Sequence, residues 1–500
     1  MTFWLADNIK AVTAGRWLAR PAHAGPAPGL STDSRAVLAG QVFLALRGEK
    51  FDGHAFLPQA SRAGASLLII DSEHAYNRAK PDLLPATGVL LVENTGRALL
   101  RLAQAYRRTL ATTKVIAVGG SNGKTTTVRL IDAALATRLR GRASQKSFNN
   151  DVGVPLTILS AQPTDQYLIC EVGTNAPGEI APLAAVVEPD ICVITSLGRE
   201  HLEGLSSLEG VAREEAMLVS SLRESGCAVV ASDDTLLAAV RSQLRSLPGT
   251  PRVLVTFGTA ETAEVRVVET TQSLDGVRLT LNDRSTYALP LLGAHNALNA
   301  AAAVAVARRL GLTADDARAG LAAAKGPAMR LEVSSINAVR VINDAYNANP
   351  ESMLAAIDTF REVTGAQAGG RRVLILGDML ELGQHAPALH REVLEAALRS
   401  RSADLLILVG PLMAQAATDL RLNHEAGIHL LHDLSPPRDA HAAGLLRQGD
   451  TVLLKGSRAT GVDRVLHALA MPPDATRTET KPAQPQTSAD ARGGVSMHGH

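Results

Sequence analysis

Lys124 and Thr125 sit in a run of small and hydroxyl-bearing residues, GGSNGKTTT at 119–127, a composition suited to holding a phosphate. Before it comes VIAV at 115–118, a short apolar run of the buried-strand type; after it, TTTVRLIDAALATRL returns apolar residues at helical spacing. A strand, a glycine-rich loop, Lys-Thr and a helix together wrap backbone N–H groups around a polyphosphate. Gly120, Ser121, Asn122, Gly123 and Thr126 would form that cradle, Lys124 would reach the β and γ phosphates, and Thr125 would hold Mg2+ through its hydroxyl. The longer form of the pattern has a further glycine at the position of Val118; this chain keeps the shorter G-x-x-G-K-T. An ordinary strand-to-helix turn is the weaker competing reading.

Two more side chains narrow the chemistry. Glu171 ends the apolar run YLICE, and His201 follows DICVITSLG. In a parallel sheet both strand ends open on the edge that carries the phosphate loop. A carboxylate and an imidazole there can complete Mg2+ coordination around a γ-phosphate. Taken singly, a solvated strand end and a surface histidine are the better readings; together, in one phosphate-loop unit, the two favour a metal site.

These residues need a sheet to carry them. YLICEVG, DICVITSLG and CAVVAS alternate with helical stretches, which predicts a largely parallel sheet covered by helices. Residues 265–291 change to short alternating runs with a DG turn, predicting antiparallel hairpins, and an alanine-rich helix follows over 297–310. Upstream, VFLAL, SLLII and GVLLV mark a small α/β unit, with RLAQAYRR as a helix leading out of it. A third α/β unit starts near Arg330, with strands in VRVINDA, RRVLILGD, DLLILVG and TVLLKGS. Its first helix opens at Asn349-Pro350, a side-chain cap followed by proline at the first helical position. The expected division is 1–110, 111–326 and 327–470, with 471–500 a disordered tail rich in proline, threonine and charge.

Composition bounds the function. The chain has 500 residues, too many for one core, with 46% hydrophobic and 20% charged residues, as in ordinary soluble proteins. A net charge of +1 gives no footprint for nucleic acid or an anionic membrane. No run of about 18 apolar residues suggests a membrane span, and the N-terminus lacks the basic start and apolar run of a secretory signal. Cys170, Cys192 and Cys227 fall in strand-like runs without ligand spacing, so buried thiols and a reducing cytoplasm are expected.

With these pieces assembled, the chain resembles the Mur ligases over nearly its whole length to about residue 470. In order, the matching motifs are STDSR (31–35), FDGH (51–54), GGSNGKTTT, FNNDVGVPLT (148–157), EVGTNAPGEI (171–180), HLEG (201–204), LLGAHNALNA (291–300), MRLE (329–332), NDAYNANPESM (343–353) and LGDMLELG (376–383). NDAYNANPESM is the most specific and points to the D-alanyl-D-alanine-adding branch; the DNPR-type motif of the diaminopimelate-adding branch is missing. The resemblance implies three α/β domains: a UDP-sugar-binding domain, a central ATP-binding P-loop domain with a mostly parallel sheet plus a small antiparallel sheet, and a Rossmann-like ligase domain. It implies an ATP-dependent carbon–nitrogen ligase of peptidoglycan precursor synthesis. Its substrates would be UDP-N-acetylmuramoyl-tripeptide and D-alanyl-D-alanine, its cofactors ATP and Mg2+, and its intermediate an acyl phosphate. A monomer is expected.

Residue by residue, the resemblance implies that Ser34, Arg35, Asp52 and His54 hold the UDP-sugar, and that Asn149 and Asn150 position the muramyl part. Lys124 steadies the transferring phosphoryl group. Thr125 and Glu171 bind one Mg2+ and His201 a second. His295, Asn296 and Asn299 lie near adenine; by residue type alone the two asparagines would read as a helix cap and a surface amide. Arg330, Asp344 and Tyr346 reach ATP from the third domain, and Lys455, Ser457 and Arg458 are weak candidates for the dipeptide. Where the family carries a carbamylated lysine for the second Mg2+, this chain has Glu215, beside Glu214. A glutamate keeps the charge with roughly 3–4 Å less reach, so Glu215 is expected to take the metal role, a solvated helix glutamate being the alternative. Ala176, Ser196 and Gly119 stand where the family has histidine, asparagine and threonine, each removing a polar side chain. Another amino-acid-adding Mur ligase, a folylpolyglutamate-type ligase, and a precursor-binding protein with impaired catalysis are the competing functions.

Overall fold

The computed structural model describes residues 2–48, 51–145, 147–365 and 370–471; the expected disordered tail, except Met471, lies outside them. Three sheets carry the described chain. The first has five strands in the spatial order Arg16–Ala19, Gly88–Leu91, Leu67–Ile70, Val42–Leu44 and Leu30–Ser31, antiparallel only at the first pair. Helix Thr95–Thr109, capped by the Asn94 side chain on Arg97 N–H, leads from it to the second.

The second sheet has nine strands. Lys114–Gly119 lies between Ile191–Ile194 on one side and Tyr167–Glu171 on the other, all parallel. Strand order therefore reverses beside this strand, the arrangement that opens a crevice at the carboxyl edge of an α/β sheet. Both faces are covered. Val115, Ala117, Cys170, Cys192 and Ile194 enter one core, while Ile116, Val118, Ile169, Ile191 and Val193 enter the other. That alternation is the two-residue period of a strand between two helical layers. The three cysteines are buried and free, as expected.

The hairpins form where the alternating pattern placed them, from Val265–Ser273, Gly276–Leu281 and Thr286–Leu289. They do not stand apart. Val265–Ser273 pairs in parallel with Val253–Gly258 at Phe257 and Gly258, so the hairpins extend the central sheet. The alanine-rich helix Asn296–Arg309 buries nearly its whole length against the second core and the helix Lys124–Leu135.

The third sheet runs Glu332–Ile336, Val339–Asp344, Thr451–Lys455, Arg372–Gly377, Leu405–Val409 and Ile428–Leu431, parallel after its first pair. Asn349 caps Pro350–Thr364, accepting from Ser352 N–H while Ser352 Oγ accepts from Asn349 N–H. This starts the helix beside the phosphate loop. Among the described residues no helix is long and apolar enough to cross a membrane.

Candidate active site

The phosphate loop fills the turn between Lys114–Gly119 and Lys124–Leu135. Gly120 and Gly123 have φ of 110° and 83°, and a Cβ there would come within 2.4 Å of Thr195 Oγ1 and 2.5 Å of Asn299 Oδ1. Both backbone and space demand glycine. The loop is tied down from the strand end beside it: Ser121 N–H donates to Ser196 O, and Asn122 N–H donates to Ser196 Oγ at 2.9 Å. Ser196 therefore keeps a polar role at the loop, where its shorter side chain was expected to lose one.

Lys124 folds over the loop, its Nζ donating to Gly120 O at 2.6 Å and Ser121 O at 3.0 Å, with Glu200 Oε1 at 3.7 Å. Burial works against the ammonium, but the carboxylates of Glu200, Glu215 and Glu171 outweigh it and hold its pKa above the ordinary value. Burial in turn pushes up the carboxyls of Glu171 and Glu215, and raises Glu200 to about 7 against the pull of Lys124. Glu171 Oε1 accepts from Asn149 Nδ2 at 3.2 Å, while its Oε2 is buried with no hydrogen-bond partner. Thr125 Oγ1 lies 3.1 Å from Ser147 Oγ and accepts from the Arg330 guanidinium at 3.1 Å.

These features bear on a metal. An orphaned carboxylate oxygen, and a guanidinium resting on the threonine hydroxyl beside it, mark a place that favours positive charge. Among the described residues no three His, Cys, Asp or Glu side chains converge into a complete cage. Mg2+ commonly keeps several waters and takes one or two protein oxygens plus phosphate. The donors present are compatible with a cation bound that way. His201, with φ of 51°, points its Nδ1 to within 2.6 Å of Glu381 Oε2, and burial lowers its pKa.

A cavity of about 840 Å³ gathers the site. Ser121, Asn122, Gly123, Lys124, Thr126, Asn149, Asn150, Glu171, His201, His295, Asn296 and Asn299 line it from the second unit, and Arg330, Asp344 and Tyr346 from the third. Arg330 stacks on Tyr346 at 4.5 Å. Asn150 also accepts from Gly153 N–H at the start of helix Gly153–Ser160. Asn296 and Asn299 are buried rather than a surface pair. Asn296 Nδ2 donates to Leu292 O, Asn299 Nδ2 to Asn296 Oδ1, and Thr127 Oγ1 to Asn299 Oδ1. Lys455 Nζ donates to Asp344 Oδ2 at 2.6 Å and Asn347 O at 3.0 Å, which commits it to holding that loop. Ser457 and Arg458 line a neighbouring cavity of about 190 Å³ with Glu200, His201 and Glu381.

Gly120 and Thr125 belong to the loop without lining the cavity, and four expected residues lie in another unit. Ser34, Arg35, Asp52 and His54 are in the first unit and do not line the large cavity. Glu215 does not line it either: it is fully buried beneath the loop, and Glu214 is buried too, so neither is a solvated helix glutamate. Sequence reasoning missed Glu200 and Arg199, although both stand directly before His201. Arg199 binds Glu351 and Glu392 of the third unit, the latter through two nitrogens at 3.0 and 2.9 Å. Asn349 Nδ2 adds a bond to Asn122 Oδ1 at 2.9 Å.

Comparisons with known proteins bear on the chain as a whole. Models of the Mur ligase family catalytic domain, the Mur ligase middle domain and the Mur ligase glutamate ligase domain match residues 27–107, 118–307 and 329–458. A UDP-N-acetylmuramoyl-tripeptide–D-alanyl-D-alanine ligase of Bacillus subtilis (strain 168) is 35% identical over 452 residues, 89% of this chain and 93% of that protein. The protein of the same name in Escherichia coli (strain K12) is 32% identical over 444 residues, 88% and 93% of the two chains. A crystal structure of MurF from Acinetobacter baumannii aligns with a TM-score of 0.78 at 27% identity, over 94% of this chain and 99% of that one. MurF ligase from Thermotoga maritima in complex with ADP aligns at 0.73 and 26% identity, over 88% and 97%. With its three units matched in order and two relatives above 30% identity along most of its length, the chain belongs to the Mur ligase family.

Proposed function

We propose that this chain is the ATP-dependent ligase that joins D-alanyl-D-alanine to UDP-N-acetylmuramoyl-tripeptide through an acyl phosphate, as a cytoplasmic monomer in peptidoglycan precursor synthesis. One observation carries the reading: Lys124, Glu171 and His201 of the second unit and Arg330, Asp344 and Tyr346 of the third face a single cavity. A carboxylate is a poor electrophile at neutral pH, and phosphorylation exchanges a very poor leaving group for a good one. To react, the γ-phosphate and the carboxylate must approach. At about 4 Å their repulsion is on the order of 4 kcal/mol at an effective dielectric near 20.

Lys124 opposes that repulsion from the loop, and Arg330 adds a second cation from the third unit. One Mg2+ held by Thr125 and Glu171, and a second held by His201, would supply the remaining charge compensation. Asn149 holds Glu171 in place and faces the same cavity. Asn299 holds Thr127 and is itself held by Asn296, and both would flank the nucleotide. The smaller cavity beside His201, with Ser457 and Arg458, would take the incoming dipeptide. Ser34, Arg35, Asp52 and His54 would grip the UDP end of the precursor at a distance, so that binding there orients the reacting carboxylate.

Phosphate release from ATP tests this. With UDP-N-acetylmuramoyl-tripeptide present, release should require D-alanyl-D-alanine, and 18O placed in the terminal carboxylate should appear in the inorganic phosphate. Release driven by a single amino acid would assign another ligase. Precursor binding without release would assign a binding protein.

A further inference from the structure

Glu215 belongs to helix Leu208–Ala216, whose start is capped by Ser207. Its side chain runs under the phosphate loop instead of into the cavity, and Oε2 accepts the Gly120 N–H at 2.7 Å. Oε1 is buried without a hydrogen-bond partner. Directly above lies Gly119. Its φ is not in the left-handed region, so its backbone would accept any residue. Space is what it provides: a Cβ there would meet Glu215 Oε2 and Leu218 Cδ2, each at 3.0 Å. The neighbouring Glu214 grips a second loop in the same manner, accepting from Gly178 N–H and Ile180 N–H, each at 2.9 Å. That loop carries Asn175 and Glu179 to the cavity wall.

We propose that Glu215 is a positioning residue, a buried strut that fixes the phosphate loop through the Gly120 N–H in the space left open by Gly119. The two departures at positions 119 and 215 are then one device. With Glu214, one helical turn sets both the phosphate loop and the loop that opens helix Ile180–Val187. What the strut needs from position 215 is an acceptor of the right length; a metal ligand would need the charge. Glutamine keeps the first and loses the second. The inference rests on the nucleotide-binding reading above, and the experiment separates the two.

ADP binding to the full chain is measured by calorimetry, with Mg2+ and again with EDTA, for the parent, E215Q, E215A, G119A and the double variant G119A/E215A. E215A should weaken ADP about tenfold in both conditions, the size of one lost hydrogen bond, and E215Q should restore affinity to within about threefold. G119A should weaken ADP clearly when Glu215 is present and much less when it is Ala. Melting of the nucleotide-free variants should show the same non-additivity, which tests the strut even if the parent fails to bind ADP and the nucleotide reading falls. Loss of affinity in E215Q equal to that in E215A and confined to Mg2+ would overturn the strut in favour of a metal ligand. Additive effects of G119A and E215A in melting would overturn the coupling.

Discussion

The rim of the phosphate loop and the presumed UDP-sugar motifs of the first unit are built in opposite ways. At the rim, partners come from far along the chain: Gly120 with Glu215, Thr125 with Arg330, Asn122 with Asn349. In the first unit the polar groups satisfy one another locally. Arg35 pairs with Asp33 and His54 Nδ1 lies 2.6 Å from Asp52, while Ser34 reaches Gln59 and His54 Nε2 accepts from Asp71 N–H, all within the same unit. The Arg35 side chain is 81% exposed, whereas Glu215 has no exposure at all. Charge that must act on a developing phosphoryl group is held in a dry, interlocked place, where it is strong and needs little reorganisation. Charge that must first capture a ligand from water stays at the surface, and its local partner costs little to leave.

This contrast can be broken by substitution. Lys124→Ala should show the largest effect, a loss on the order of 10³ in kcat, since under the proposed function it removes a preorganised cation at the transferring phosphate. It also strands Glu171, Glu200 and Glu215, so the melting temperature should fall as well. A variant that lost activity but gained stability would mean that the three carboxylates are protonated in the ligand-free chain.

Arg199→Ala comes next. It cuts the ion pairs to Glu351 and Glu392 that tie the second unit to the third. Steady-state kinetics should show kcat/KM down by about tenfold or more, and small-angle scattering should show a larger radius of gyration. High salt should move the parent in the same direction. An unchanged radius would show that closure rests on Arg330 and Asn349 instead.

Asn299→Ala removes the amide that links Thr127 to Asn296 and should cost about 1–3 kcal/mol in thermal unfolding. The smallest change in stability belongs to Arg35→Ala, a solvent-screened surface pair. Its signature is different: KM for the UDP-linked precursor rises while kcat holds. In the parent, Arg35 hydrogen bonds keep the Asp33 carboxyl at about 2. A lowered pKa stabilises the fold above the ordinary carboxylate range and is lost as pH falls through the folded value. In Arg35→Ala, NMR titration should find Asp33 back near its usual value. If Arg35→Ala lowered kcat instead, the first unit would be part of the reacting rim and the contrast would fail.

Much of this was legible in the residues themselves. The phosphate loop, the Asn349-Pro350 cap, the hairpins at 265–291 and the buried strands follow from short-range rules: which φ glycine allows, which side chain caps a helix, which face a two-residue period buries. The order of the motifs along the chain points to the family. Tertiary structure decided the rest. It alone turned Asn296 and Asn299 inward, gave Ser196 a bond to the loop, committed Lys455 to Asp344, and sent Glu215 to the Gly120 N–H. A glutamate on a helix can be solvated or buried at the same local cost. Which occurs depends on whether a donor and an empty space from another part of the chain arrive beside it, and Gly119, 96 residues before Glu215, provides that space.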